Sequence, residues 1–186
     1  MNRLKLASLG VLLTLGFESF DSPDIRMYEF SYPNRSKTAI NLNAAGFLNF
    51  TKEWRGDSYF YYGKSSEGIT CSVLYFKLNE AQQHAYVDNL PVKSIAGNSF
   101  AYFAENSNLK KYEKNIEKWG KLADDFVFKQ SDINDFKGIA IKQKHVFAYS
   151  MFDNDLFVNI HLAKSNYNAA DSIKMRDILN SLIKKK

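Results

Sequence analysis

The stretch from His145 to Ile183 constrains the fold more than any other part of the chain. His145–Phe152 runs into the polar turn Asp153-Asn154-Asp155, and Leu156–Ala163 follows. In that second run Leu156, Val158, Ile160 and Leu162 alternate with Phe157, Asn159, His161 and Ala163, the period-two signature of a strand with one buried face. A helix is expected from about Ala169 to Ile183, where Met175, Ile178, Leu179, Leu182 and Ile183 fall on one stripe. A sheet face and a helix stripe that both need cover most simply cover each other.

The rest of the chain supplies strands before this unit and a helical middle. Met27–Pro33 alternates, with Tyr28, Phe30 and Tyr32 on one side, and stops at Pro33, which has no N–H to give to a ladder. A second extended stretch is expected within Ala39–Trp54, closed by the turn Arg55-Gly56-Asp57. Ser58–Tyr62 and Ile69–Leu78 flank the polar loop Gly63–Gly68 as a hairpin. Asn79 is placed to cap a helix from Glu80 to about Asn89. A second helical region is expected over Ser99–Trp119, where Leu109, Tyr112, Ile116 and Trp119 recur at helical spacing and Gly120 follows as a C-cap. Phe126–Gln130 and Lys137–Gln143 are two further expected strands. Segregated strands and helices predict an α+β class, with a mainly antiparallel sheet of about six or seven strands and helices packed on it, including the C-terminal amphipathic helix.

At the amino end Met1-Asn-Arg-Leu-Lys5 is positive and Leu6–Leu15 is apolar, with Thr14 and Gly16 as small residues before a cut. This pattern predicts a signal peptide over 1–16, a lead-in segment over 17–26 and a single α+β domain over 27–186. The apolar run is too short to span a bilayer comfortably, so an exported protein, periplasmic or secreted, with no stable membrane span is expected. The formal charge of +5 is spread among acids apart from Lys184-Lys185-Lys186, without the basic stripe of a nucleic-acid binder. The single cysteine, Cys71, permits no internal disulfide and no multi-cysteine metal site. Within a strand it is expected to be buried and inert.

Motifs that carry chemistry are sparse. Glu80, His84 and Asp88 share a helix face, but spread over two turns they do not converge on one ion, so no metal is expected. Gly63-Lys64-Ser65 ends like a phosphate loop, yet the position of its first glycine is Ser58 and the segment leads into a strand. There is no Gly-x-Ser-x-Gly elbow, and the paired aspartates 124/125, 132/135 and 153/155 fall where turns favour Asp. No catalytic residue and no cofactor is assigned.

Two stretches carry a family resemblance. Phe30-Ser-Tyr-Pro33 is an aromatic strand stopped by proline, and Leu156–Ala163 leads through a loop with Tyr167 into the helix Ser172–Ile183. With the order of elements over roughly residues 27–184, this resembles the Mog1/PsbP-like group. The resemblance implies an α-β-α sandwich around an antiparallel sheet, in proteins that bind partners or serve as accessory factors without catalysis. The expected function is therefore an exported, non-enzymatic domain binding a protein partner or a small ligand. Tyr59, Tyr61, Phe157 and His161 are the expected contact residues, since Tyr joins apolar area to a hydrogen bond and Phe157 and His161 share one strand face. The alternatives are a small secreted hydrolase with a site around His161, or an inhibitor or immunity-type protein presenting the Gly63–Gly68 loop.

Overall fold

A computed structural model describes residues 25–56, 58–78, 111–115, 126–136, 138–153 and 155–185. Their order is β1 (Met27–Phe30), a 3-10 turn (Ser36–Thr38), β2 (Ile40–Asn43), β3 (Phe47–Arg55), β4 (Ser58–Ser65), β5 (Thr70–Lys77), β6 (Lys111–Asn115), β7 (Val127–Phe136), β8 (Ile139–Phe152), β9 (Leu156–Ser165), α1 (Ala169–Asn180) and β10 (Ile183–Lys184). Among the described residues seven strands make the main sheet in the order β3-β4-β5-β9-β8-β7-β6, and β1-β2-β10 make a smaller one. Every pairing is antiparallel.

The anticipated cover of sheet by helix is present. Asn168 caps α1: its side chain accepts from the Asp171 N–H at 3.0 Å, and the Asp171 carboxylate accepts from the Asn168 N–H at 2.9 Å. Met175, Ile178, Leu179 and Leu182 then bury against Val73, Val146, Ile160 and Leu162 of the main sheet and Ile40 and Leu42 of the smaller one. Ile183 departs from the expected stripe. The helix ends at Asn180, and Ile183 is 56% exposed on β10, where it pairs with Asn41.

Tyrosine hydroxyls tie the two sheets. The Tyr75 hydroxyl lies 2.9 Å from the Phe30 carbonyl and 3.1 Å from that of Thr38, Tyr28 donates to the Phe47 carbonyl at 2.6 Å, and Tyr61 donates to the Ser31 carbonyl at 2.7 Å. Each phenol ends at a backbone carbonyl of the other sheet or of the turn adjoining it, which answers the need of a buried polar tip for a partner.

Several expected elements differ. Ala39–Trp54 is two strands in different sheets, because the chain turns at Ala45-Gly46, with Gly46 at φ 85°. Gly63 lies inside β4, and the hairpin connection is only Ser66–Ile69. Of the expected strand Lys137–Gln143, Ile139–Gln143 joins His145–Phe152 in the one 14-residue strand β8, and β7 runs on to Phe136. Lys111–Asn115, expected within a helix, is a strand paired along β7. The open edge of a sheet overrides a local helical period. Among the described residues α1 is the one α-helix; the expected helix at 80–89 and the remainder of the 99–119 region lie outside them.

Candidate functional site

The β3–β4 hairpin forms one margin of the main sheet and concentrates exposed aromatic surface. Gly56, at φ 59°, permits the tight reversal between Arg55 and Ser58. Seven of the nine β3 residues are exposed, and Leu48 and Trp54 stand 68% and 56% open. Trp54 is nevertheless held in place. Its ring meets Tyr59 edge-on at 4.9 Å and Tyr32 at 5.6 Å between centroids. Behind it Tyr59 packs on Tyr61 at 5.1 Å, and Tyr61 on Phe30 at 5.1 Å, so an aromatic row connects the exposed indole to the core. On the opposite side of the hairpin the Arg55 guanidinium lies 4.0 Å over the Phe60 ring and pairs with Glu53.

The other face of the sheet holds a histidine pair. His145 on β8 and His161 on β9 approach at 2.9 Å, Nδ1 to Nε2, with rings stacked at 5.1 Å. His161 also stacks on Phe147 at 4.2 Å. The second nitrogen of His145 lies 3.4 Å from the Gln143 side-chain oxygen, and the Gln143 amide nitrogen faces Ser165 Oγ at 2.9 Å. With His145 Nε2–H turned to the Gln143 oxygen, Nδ1 accepts and His161 Nε2–H donates. Burial lowers His145 to about 4, against a smaller upward pull from Asp132, and lowers His161 to about 3, with His145 adding repulsion. Both rings are neutral at neutral pH, and such weak bases are poor proton acceptors in catalysis. Cys71 lies fully buried in the core, where desolvation pushes its thiol far above the ordinary range. Among the described residues no three acidic, histidine or cysteine side chains gather around a metal position, and Glu80, His84 and Asp88 lie outside them.

No family model and no curated protein matches the sequence. Solved structures do match. The Ran-binding protein Mog1p of Saccharomyces cerevisiae superposes with a TM-score of 0.52 at 8% identity, over 87% of this chain and 97% of that one. A structure of a Mog1 point mutant gives 0.50 at 9% identity over the same shares of 87% and 97%. The fold is Mog1/PsbP-like. At such identity the likeness extends to the fold and carries no residue roles.

Within this Mog1/PsbP-like sheet the four residues singled out from sequence fall in two pairs on opposite faces, with Tyr59 touching Tyr61. Tyr61 pairs with Val73, which pairs with Ile160, so Tyr61 and its neighbour two positions back, Tyr59, belong to the helix-covered face. His161 pairs with Ser72 and Phe157 with Phe76 on the reverse face. Tyr59 and Phe157 are buried, and His161 and Tyr61 are half-buried. The reverse face is closed where Phe147, Tyr149, Met151 and Phe157 pack together. Trp54 and Lys52 were not singled out. Their signal was an aromatic and a cation two positions apart just before a Gly turn, which places both on one side of the strand.

Proposed function

We propose that this protein is a non-catalytic domain that binds another protein through the β3–β4 margin of its main sheet, and that it does so after export. Trp54 carries the proposal. It is a large aromatic left more than half exposed, yet fixed by Tyr32 and Tyr59, so burying it in a partner costs little ordering entropy. Pre-oriented aromatics surrounded by polar groups are the usual anchors of protein interfaces. The fold neighbour described as Ran-binding supports the class of function, a protein partner, without naming the partner of this chain. A hydrolase centred on His161 is the weaker reading, because that ring is bonded to a second neutral imidazole and has little basicity at neutral pH.

The test is comparative capture in the native source followed by mass spectrometry, with wild type and Trp54→Ala as matched baits of equal thermal stability. A protein retained by wild type and lost by Trp54→Ala is the expected result. Recovery of a small molecule in native mass spectra, with no protein bound by either bait, overturns the reading. Export has its own test, the intact mass of the protein from its source. A chain beginning after residue 16 supports it, and a chain still carrying residues 1–16 inside the cell sinks it.

A further inference from the structure

The outer strand of the main sheet has the properties of an acceptor edge for one kind of partner segment. Among the described residues β3 pairs with β4 on one side only. Its start is closed: the Tyr28 hydroxyl and an Arg26 guanidinium nitrogen reach the Phe47 carbonyl, and the Tyr28 hydroxyl is also 3.2 Å from the Leu48 carbonyl. A bulge at Leu48-Asn49 separates that start from the segment Phe50–Arg55, whose register with Gly63–Ser58 is unbroken. In an antiparallel strand alternate residues direct their N–H and C=O away from the paired neighbour. From Phe50 to Arg55 those outward groups form an edge that an added strand can use.

The side chains beside this edge select the occupant. Lys52 and Trp54 project from the same side of β3, since Lys52 pairs with Tyr61 and Trp54 with Tyr59. Lys77 reaches the same place from β5, with its ammonium 5.7 Å from the Tyr32 ring that supports Trp54. Neither Lys52 nor Lys77 is within ion-pair distance of a carboxylate among the described residues. The nearby Glu53 is taken by Arg55 and Asp155 by Arg35. An edge lysine is also a common guard against self-pairing. Here it stands beside an apolar anchor and a second unpaired cation, a combination that opposes basic strands and favours acidic ones.

We propose that Phe50–Arg55 receives an extended acidic segment of a partner protein as an eighth strand of the main sheet. That segment sets an apolar side chain against Trp54 and a carboxylate against Lys52, two positions apart on the same side of the added strand. Lys77 adds attraction for a further acid near the Trp54 end. The inference rests on the protein-binding function proposed above and assigns to it both the edge and the chemistry of the partner.

The test uses the full chain, isotopically labelled, and two synthetic peptides of about ten residues, enough to span the edge. One alternates Glu and Phe among Thr residues, and the other has Lys in place of each Glu. The acidic peptide is expected to shift the backbone amides of residues 50–55 and to bind at least about tenfold more tightly than the basic one. Lys52→Glu, with unchanged thermal stability, reverses that preference, and Trp54→Ala weakens both peptides. Equal binding of the two peptides overturns the proposal, as does an unchanged preference in Lys52→Glu. Shifts outside β3, or shifts in the unliganded protein that grow with its concentration, also overturn it, the last showing a second copy of this chain on the edge. A captured partner that binds Lys52→Glu as well as wild type leaves the protein-binding reading standing and removes the acidic-strand assignment alone.

Discussion

Phe50 packs so tightly on Gly63 that a Cβ built at position 63 would lie 2.7 Å from the Phe50 Cε1 atom. The same Cβ would meet the Asn49 carbonyl oxygen at 3.0 Å. The glycine is thus a seat for the first residue of β3 after its bulge, and the ring covers the stretch of β4 that has no side chain. Phe50 in turn meets Phe30 and Tyr28 edge-on, each at 4.8 Å between centroids, so the seat also sets the spacing of the two sheets.

Gly63→Ala is therefore expected to cost about 1–3 kcal/mol, the usual penalty of an overpacked contact. Adding Phe50→Leu should recover part of the loss, because the two positions share one contact and their effects cannot be additive. Urea denaturation of the two single variants and the double variant measures it. Strict additivity would show that the close approach is not what the alanine disturbs.

Arg35 and Asp155 lie 120 positions apart and form a two-pronged ion pair, Nη1 to Oδ1 at 2.6 Å and Nη2 to Oδ2 at 2.7 Å. The pair fastens the turn after β1 to the β8–β9 turn. The Arg35 hydrogen bonds hold the Asp155 carboxyl below its ordinary value of 3.8. A carboxyl lowered on folding contributes stability that is present above its unfolded pKa and disappears as pH falls through the lowered value. With both side chains a quarter to a third exposed, solvent screening limits this to about 1 kcal/mol. Asp155→Asn should lower stability by that amount at neutral pH and have little effect near pH 2. An equal loss at both pH values would mean that the charge is not the cause.

Leu179 is completely buried between α1 and the sheet. Leu179→Ala should cost about 2–5 kcal/mol, the range for a large side chain removed from a close-packed core. Ile183→Ala, at an exposed position of the same nominal stripe, should cost less than about 0.5 kcal/mol. Comparable losses at the two sites would show that the helix stripe continues past Asn180.

The strand–turn–strand–helix unit was legible because each element there has one apolar side. Leu156, Val158, Ile160 and Leu162 needed cover, and Met175, Ile178 and Leu179 provided it. The early half of β8 was harder to join to the rest. Lys144 resembles a strand end in the sequence, but in the fold it is nearly buried and its charge is matched by Asp132 on β7 at 3.1 Å. A compensated internal lysine leaves no trace in a hydrophobic pattern. Lys111–Asn115 escaped for a related reason: its pairing with β7 is a long-range choice that local spacing does not encode. The β3–β4 margin was least legible. Tyr59, Tyr61 and Trp54 are similar aromatics in sequence, and only the tertiary packing, with Phe30 on Tyr61 and Tyr32 between Tyr59 and Trp54, leaves Trp54 as the open one.

The His145–His161 pair should make the protein acid-sensitive well above the pH range of Asp155. Both imidazoles are lowered on folding from 6.5, to about 4 and about 3, chiefly because burial disfavours the charged ring. As pH falls below 6.5 the unfolded chain takes up protons that the folded one refuses, so stability is complete above 6.5 and declines as pH drops toward the folded values. Each ring can contribute a slope of up to about 1.4 kcal/mol per pH unit in that window. Urea midpoints at pH 7, 6 and 5 should fall in wild type and fall less steeply in His161→Gln. In that variant the retained side-chain N–H can still donate to His145 Nδ1, and one proton-binding site is gone from the unfolded chain. A slope between pH 7 and 5 that is the same in wild type and His161→Gln would remove the pair as its source.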